Sequence, residues 1–256
     1  MASSKPPALG DVWTKLRAAT AARIGLERSG SSLATAPLLE FRLAHARARD
    51  SVNETMNAAR LIAELAGLEW PIVTIDSAAP DRRTYLLRPD LGRSLGPTAR
   101  EALLAHSGAY DLTVVVADGL SARAVERQVP PLLAALRPMH SAERWSLAPL
   151  VLVRQGRVAI GDAIASVLGA SAVAVLIGER PGLSAPDSLG AYLTWRPIPE
   201  KTTDADRNCV SNIRPEGLGF RDAAFKITYL LSEMRRRRVS GVALKDDSGS
   251  ARLTGS

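Results

Sequence analysis

Ala170-Ser171-Ala172-Val173-Ala174-Val175-Leu176-Ile177 is an apolar run that stops abruptly at Gly178-Glu179-Arg180-Pro181-Gly182-Leu183. A run of that length, rich in Val, Leu and Ile, reads as a strand buried on both faces. The residues after it change character at once: a flexible glycine, a carboxylate, a guanidinium, a rigid proline and a second glycine. In an open α/β sheet, ligands sit in the crevice at the carboxyl ends of the strands. The loop is therefore a binding-site candidate. The alternative is a surface turn whose Glu179 and Arg180 are merely solvated.

Outward from this run, strands and helices alternate. Strands are predicted at 112–117, 149–153, 172–177 and 191–195, and helices at 121–136, 161–168 and 221–238. That alternation predicts an α/β fold, a mainly parallel, Rossmann-like sheet flanked by helices. Pro130-Pro131 predicts a kink or break in the first of those helices. Residues 71–75 and 84–87 are shorter β candidates near an edge. Before them lies a helical N-terminal region: a helix from Asp11 to about Leu26, a turn at Gly30-Ser31-Ser32, a helix opening near Thr35 with Pro37 in its first turn, and a helical pattern over 54–65. The expected organisation is a disordered start (1–10), a helical region (11–68), an α/β domain (69–245) and a flexible tail (246–256).

A parallel sheet delivers successive strand ends to one rim. The loops so placed are Asp118-Gly119-Leu120-Ser121, Arg154-Gln155-Gly156-Arg157-Val158 and the Gly178 loop, with Asp206-Arg207-Asn208-Cys209 following the fourth strand. Four unusual polar loops on one rim point to a shared ligand site.

The bulk composition bounds the rest. A single cysteine, Cys209, excludes an intrachain disulfide framework and fits a reducing compartment. No apolar run approaches the length of a membrane span, and no secretory signal opens the chain. The sequence reads as a soluble, cytoplasmic protein without a membrane partner. The net charge of +7 raises nucleic acid as a partner. Against it, the one dense basic cluster is 235–238, at a helix end, and no aromatics are interleaved with it as single-strand binders require.

Several chemistries are missing. There is no Gly-x-Gly-x-x-Gly after a strand, no Walker-type loop and no nucleophile elbow. His45, His106 and His140 lie in helical contexts remote from the rim, and there is no Cys pair for a metal. Ser121 and Ser211 lack evident His/Asp partners. A stand-alone enzyme has only Asp118, Glu179 and Cys209 at the rim to work with. The chain is equipped to bind and poorly equipped for chemistry by itself.

Longer motifs are more specific. Gly178-Glu179-Arg180-Pro181-Gly182-Leu183 followed by Asp187-Ser188-Leu189, and Asp206-Arg207-Asn208-Cys209-Val210-Ser211-Asn212-Ile213, resemble the small subunit of ethanolamine ammonia-lyase. So do Val151-Leu152-Val153-Arg154-Gln155-Gly156-Arg157-Val158, Asp118-Gly119-Leu120-Ser121 and Leu87-Arg88-Pro89-Asp90-Leu91-Gly92-Arg93. Leu43-Ala44-His45 with Arg49-Asp50, and Ser240-Gly241-Val242, also fit, and the resemblance covers about residues 11–245.

The resemblance implies an adenosylcobalamin enzyme that converts ethanolamine to acetaldehyde and ammonia. In that family a large (β/α)₈ subunit performs the radical rearrangement, and the small subunit packs over the cobalamin. The α/β domain would then be cobalamin-binding, in a hetero-oligomer of large/small pairs, with no catalytic residue on this chain. The family's cobalamin contacts fall here on Val158, Glu179 and Cys209. None is expected to coordinate cobalt. The Asp-x-His-x-x-Gly motif that displaces the nucleotide base elsewhere is absent, which fits cobalamin bound base-on. Some relatives carry a longer N-terminal extension linked to bacterial microcompartments; the short lead before Asp11 departs from that pattern.

Overall fold

The computed structural model of the chain describes residues 9–142 and 144–249. The N-terminal part comprises α1 (Leu9–Ala18), a small hairpin of β1 (Arg28–Ser29) and β2 (Ser32–Leu33), α2 (Thr35–Asn53) and α3 (Ala58–Leu65). The first helix stops well short of Leu26. Gly25 takes a left-handed φ of +55°, which a continuing helix does not allow. The third starts later than expected because Asn57 caps it, its side chain accepting the Arg60 N–H at 3.0 Å.

The remainder runs β3 (Ile72–Asp76), α4 (Arg82–Leu87), α5 (Ala99–Leu104), β4 (Tyr110–Ala117), α6 (Ala122–Ala142), β5 (Leu150–Arg154), α7 (Ile160–Leu168), β6 (Ala170–Gly178), β7 (Leu189–Trp195), β8 (Asn208–Ile213) and α8 (Phe220–Arg237). One six-stranded sheet forms in the order β3-β5-β4-β6-β7-β8. Its first four strands are parallel, and β7 runs antiparallel to both neighbours. The reversal follows from the connection: a parallel partner needs a crossover, usually a helix, and only a helix-free loop separates β6 from β7.

Alternate residues of the buried strands feed two cores. Leu112, Val114 and Val116 of β4 pack with α3, α6 and α8 residues on one face. Val115 and Ala117 pack with α5 and α7 residues on the other. Fully burying each such aliphatic side chain contributes about 1.5–3 kcal/mol.

Two expectations are corrected. Residues 84–87 are helical, not a strand: Asp81 caps α4, its carboxylate accepting the Thr84 N–H at 2.8 Å, and local capping overrides the β preference of the short apolar stretch. The break expected at Pro130-Pro131 is absent, and α6 continues through both and through Pro138. Each proline deletes a helical hydrogen bond. Val129, Leu132, Leu133 and Leu136, all buried against the sheet and α8, offset that cost.

The basic end of α8 is partly compensated by one carboxylate of the helix and one from β4, Glu233 and Asp111. Arg236 and Arg237 both bond Glu233, at 2.7 and 2.6 Å, and Arg235 lies over the Trp145 ring. Among the described residues, no helix is long and apolar enough to cross a membrane.

Candidate functional site

The site grows from the crevice where adjacent strands β4 and β5 send the chain to opposite faces, into α6 and α7 respectively. Three rim loops are stitched together there by hydrogen bonds from backbone N–H groups. The Leu120 N–H donates to the Gly178 carbonyl at 2.9 Å, tying the β4 loop to the end of β6. Gly119 is left-handed at φ +56°, and a Cβ there would run into Ile177 and the Gly178 carbonyl. The Gly156 N–H donates to Asp118 Oδ1 at 3.1 Å, tying the β5 loop to β4.

Arg82 completes this frame from the side. It donates to the Val52 carbonyl at the end of α2 (2.8 Å), to the Gly119 carbonyl (2.7 Å) and toward Gln155 Oε1 (3.4 Å), with Asp118 Oδ2 at 3.8 Å. Asp118 is fully buried, and desolvation raises its pKa against the opposing pull of the Gln155 N–H and Arg82. It faces inward as part of the frame, which removes it as a rim acid. His45 and His106 are exposed, the side chain of His140 lies outside the described residues, and no group of His, Cys, Asp or Glu fit to hold a metal occurs among the described residues.

The frame walls a cavity of about 440 Å³ lined by Tyr85, Leu120, Arg157, Val158, Glu179 and Tyr192, with Arg180 at its edge. A neighbouring cavity of about 430 Å³ shares Arg157 and Val158 and extends to Asp204 and Arg207. Two of the three expected contact residues, Val158 and Glu179, thus face one space. Val158 sits just ahead of α7, its carbonyl accepting the Gly161 N–H at 3.1 Å, and packs against the core under α7. Glu179 reaches across β7 to β8, where both carboxylate oxygens accept the Asn212 N–H at 3.3 and 3.2 Å. The absent side chain of Gly190 leaves room for this: a Cβ there would lie 3.0 Å from Glu179 Oε1.

Cys209 arrives by another route. The segment 206–208 is not a rim loop, because Asn208 already pairs with Leu193, well back from the strand ends. Cys209 instead lies within β8, directly opposite Tyr192, and the two side chains are hydrogen-bonded. Tyr192 is the link that joins Cys209 to the cavity of Val158 and Glu179. Desolvation, then the neighbouring thiol and Glu179, push the Tyr192 hydroxyl up to about 12. Desolvation and the Glu179 charge raise the Cys209 thiol, against the Tyr192 hydrogen bond. The upward shift disfavours the thiolate that a nucleophile or metal ligand requires.

At the wall of the second cavity, Arg207 forms a buried ion pair with Asp162 at 2.6 and 2.7 Å, with Thr194 Oγ1 at 3.2 Å. Tyr85, Arg157 and Tyr192 were not singled out by sequence. Tyr85 was hidden by its misread helix. Tyr192 looks like any aromatic of a strand. The arrangement offers hydroxyl, carboxylate and guanidinium groups around a partly apolar floor, suited to holding a ligand and lacking an activated nucleophile.

The chain matches the family profile described as ethanolamine ammonia-lyase light chain over residues 10–245. A protein of Xanthomonas campestris pv. campestris described as ethanolamine ammonia-lyase small subunit is 54% identical over 242 residues, covering 93% of this chain and 89% of that one. One of Azotobacter vinelandii with the same description is 52% identical over 257 residues, covering 99% and 95%. One of Pseudomonas fluorescens is 52% identical over 240 residues, covering 92% and 87%.

Proposed function

The chain belongs to the ethanolamine ammonia-lyase light-chain family, and from that premise we propose that it holds adenosylcobalamin against a large catalytic subunit. As a member it is a component of a carbon–nitrogen lyase, and the small-subunit description of its relatives implies a larger partner.

The observation that supports the cofactor reading is that Val158 and Glu179 line one cavity together with Tyr192, the residue paired with Cys209 across β7 and β8. The donor set fits the ligand. Cobalamin presents amide side arms, which donate and accept, and a broad apolar ring edge. Glu179 spends its two oxygens on a single backbone N–H and keeps further acceptor capacity for amide or ribose donors. Val158 supplies apolar floor, and Cys209 a polarisable, uncharged surface. Arg157 Nε is buried without a partner beside the same space. Cavities of about 440 and 430 Å³ are within the range of small-ligand pockets, and cobalamin is far larger than such ligands. This chain covers one side of the cofactor, and the remainder falls to the partner.

When bound, the cofactor supplies the radical chemistry. The chain's own residues do three things: Glu179 orients polar arms, Val158 and Tyr192 exclude water, and the Arg82–Asp118 frame holds the loops in register. The amino-alcohol substrate, ethanolamine by family, is handled by the partner.

The test is reconstitution. Ammonia release from ethanolamine should require this chain, the large subunit and adenosylcobalamin together, and the co-purified complex should carry a cobalamin visible spectrum. Full turnover by the large subunit alone would overturn the reading. The cytoplasm is the proposed location, tested by fractionation: recovery of the complex with microcompartment shells would overturn it.

A further inference from the structure

Arg157 is an unneutralised cation in a half-buried wall. Its guanidinium lies 4.2 Å from the Tyr85 ring centroid, and Arg82 lies over the same ring at 4.9 Å. Its protein hydrogen bond is one long contact from Nη2 to the Tyr85 carbonyl at 3.4 Å, and its Nε is buried and unpartnered. Among the described residues no carboxylate lies within ion-pair distance of it, whereas the buried Arg207 has Asp162 and Arg82 has Asp118. Arg180, which lines the same cavity, also has no carboxylate partner among the described residues. The ring of Tyr85 is itself fixed, fully buried with its hydroxyl donating to the Gly156 carbonyl at 3.0 Å.

A guanidinium braced on an immovable aromatic face loses little freedom when an anion arrives, and its planar fork suits phosphate oxygens. Arg157 also stands in the wall common to both cavities, beside Val158. We propose that Arg157, braced on Tyr85 and assisted by Arg180, is an anion subsite that takes the phosphodiester of the bound corrinoid. This rests on the cobalamin reading and deepens it. It adds a charged anchor to Val158, Glu179 and Cys209, and it accounts for two arginines without carboxylate partners on a cavity whose one other charged lining residue is Glu179.

The test compares cobalamin with cobinamide, which keeps the corrin ring and lacks the nucleotide loop with its phosphodiester. Both are titrated by visible absorbance into the two-subunit complex, wild type and R157Q, with R157K as the charge-retaining control. Wild type should prefer cobalamin. R157Q should weaken cobalamin about tenfold or more, the loss of one charge-assisted contact, and leave cobinamide unchanged. R157K should retain part of the preference. Inorganic phosphate at constant ionic strength should compete with cobalamin in wild type but not in R157Q, which separates a site for the ion itself from general screening.

Equal weakening of both corrinoids in R157Q would overturn the proposal, since it places Arg157 against the ring or in the frame. Loss of subunit association before any corrinoid is added would also overturn it, by assigning the charge to a partner carboxylate. A wild-type complex that binds neither corrinoid removes the cobalamin reading itself and this subsite with it.

Discussion

Arg207 and Asp162 face each other in a buried bidentate pair that ties the start of β8 to the first turn of α7. The pair lies two residues before Cys209 and four after Val158, so it sets the distance between two parts of the site that are far apart in sequence. Arg207→Ala or Asp162→Ala leaves a buried charge uncompensated and should cost about 3–5 kcal/mol. Replacing both by apolar residues of similar volume should recover much of that loss. Urea unfolding of the two single variants and the double variant checks this. Additive losses would show that the two side chains act independently.

Glu179→Ala should separate binding from folding. The Asn212 N–H it leaves is exposed and can bond water, so stability should change by less than about 1 kcal/mol. Cobalamin retention by the complex should fall about tenfold or more. Unchanged cofactor affinity, measured by equilibrium dialysis, would remove Glu179 from the site.

Gly190→Ala is a steric probe of the same carboxylate. Its Cβ would lie 3.0 Å from Glu179 Oε1, 3.2 Å from Glu179 Cγ and 3.4 Å from Tyr192 Cε2. Gly190 carries no positive φ, so the substitution acts through these contacts rather than through backbone strain. The expected result is a small stability change and a clear drop in cobalamin affinity, with Glu179→Ala/Gly190→Ala no worse than Glu179→Ala alone.

Cys209 alkylation reports the local electrostatics. Its thiol titrates above its ordinary value, so the rate with iodoacetamide should still be rising where an ordinary thiol has levelled off. Glu179→Gln removes a charge that opposes the thiolate, and should lower the midpoint and speed alkylation at pH 8. Tyr192→Phe removes a hydrogen bond that favours the thiolate, and should raise the midpoint. The reverse order of the two variants would contradict the assigned contacts.

Much of this architecture was legible in the chain. Residues 170–177 and 112–117 declare buried strands, since a doubly covered strand needs apolar residues on both sides. The Asp118, Gly156 and Gly178 loops were legible because parallel strands share a rim. β8 was not, because an edge strand buries only Val210 and Ile213 and otherwise reads as polar loop. Tyr85 was lost for a local reason, a four-residue apolar stretch whose helical state is decided by Asp81 ahead of it. Cys209 was expected on a rim loop and lies instead within β8, opposite Tyr192. Its route through Tyr192 depends on cross-strand register, which no local pattern encodes.

The reversal of β7 also divides the site by the order in which it can assemble. Glu179, Tyr192 and Cys209 belong to one antiparallel meander, β6-β7-β8, whose pairings are close in sequence. Tyr85, Arg157 and Val158 join it only after β4 and β5 have paired across long helical crossovers. Contacts of short sequence separation close at smaller entropic cost. In refolding, the carboxylate side of the pocket should therefore gain amide-exchange protection before the guanidinium side, and competence to hold a ligand should follow the slower half.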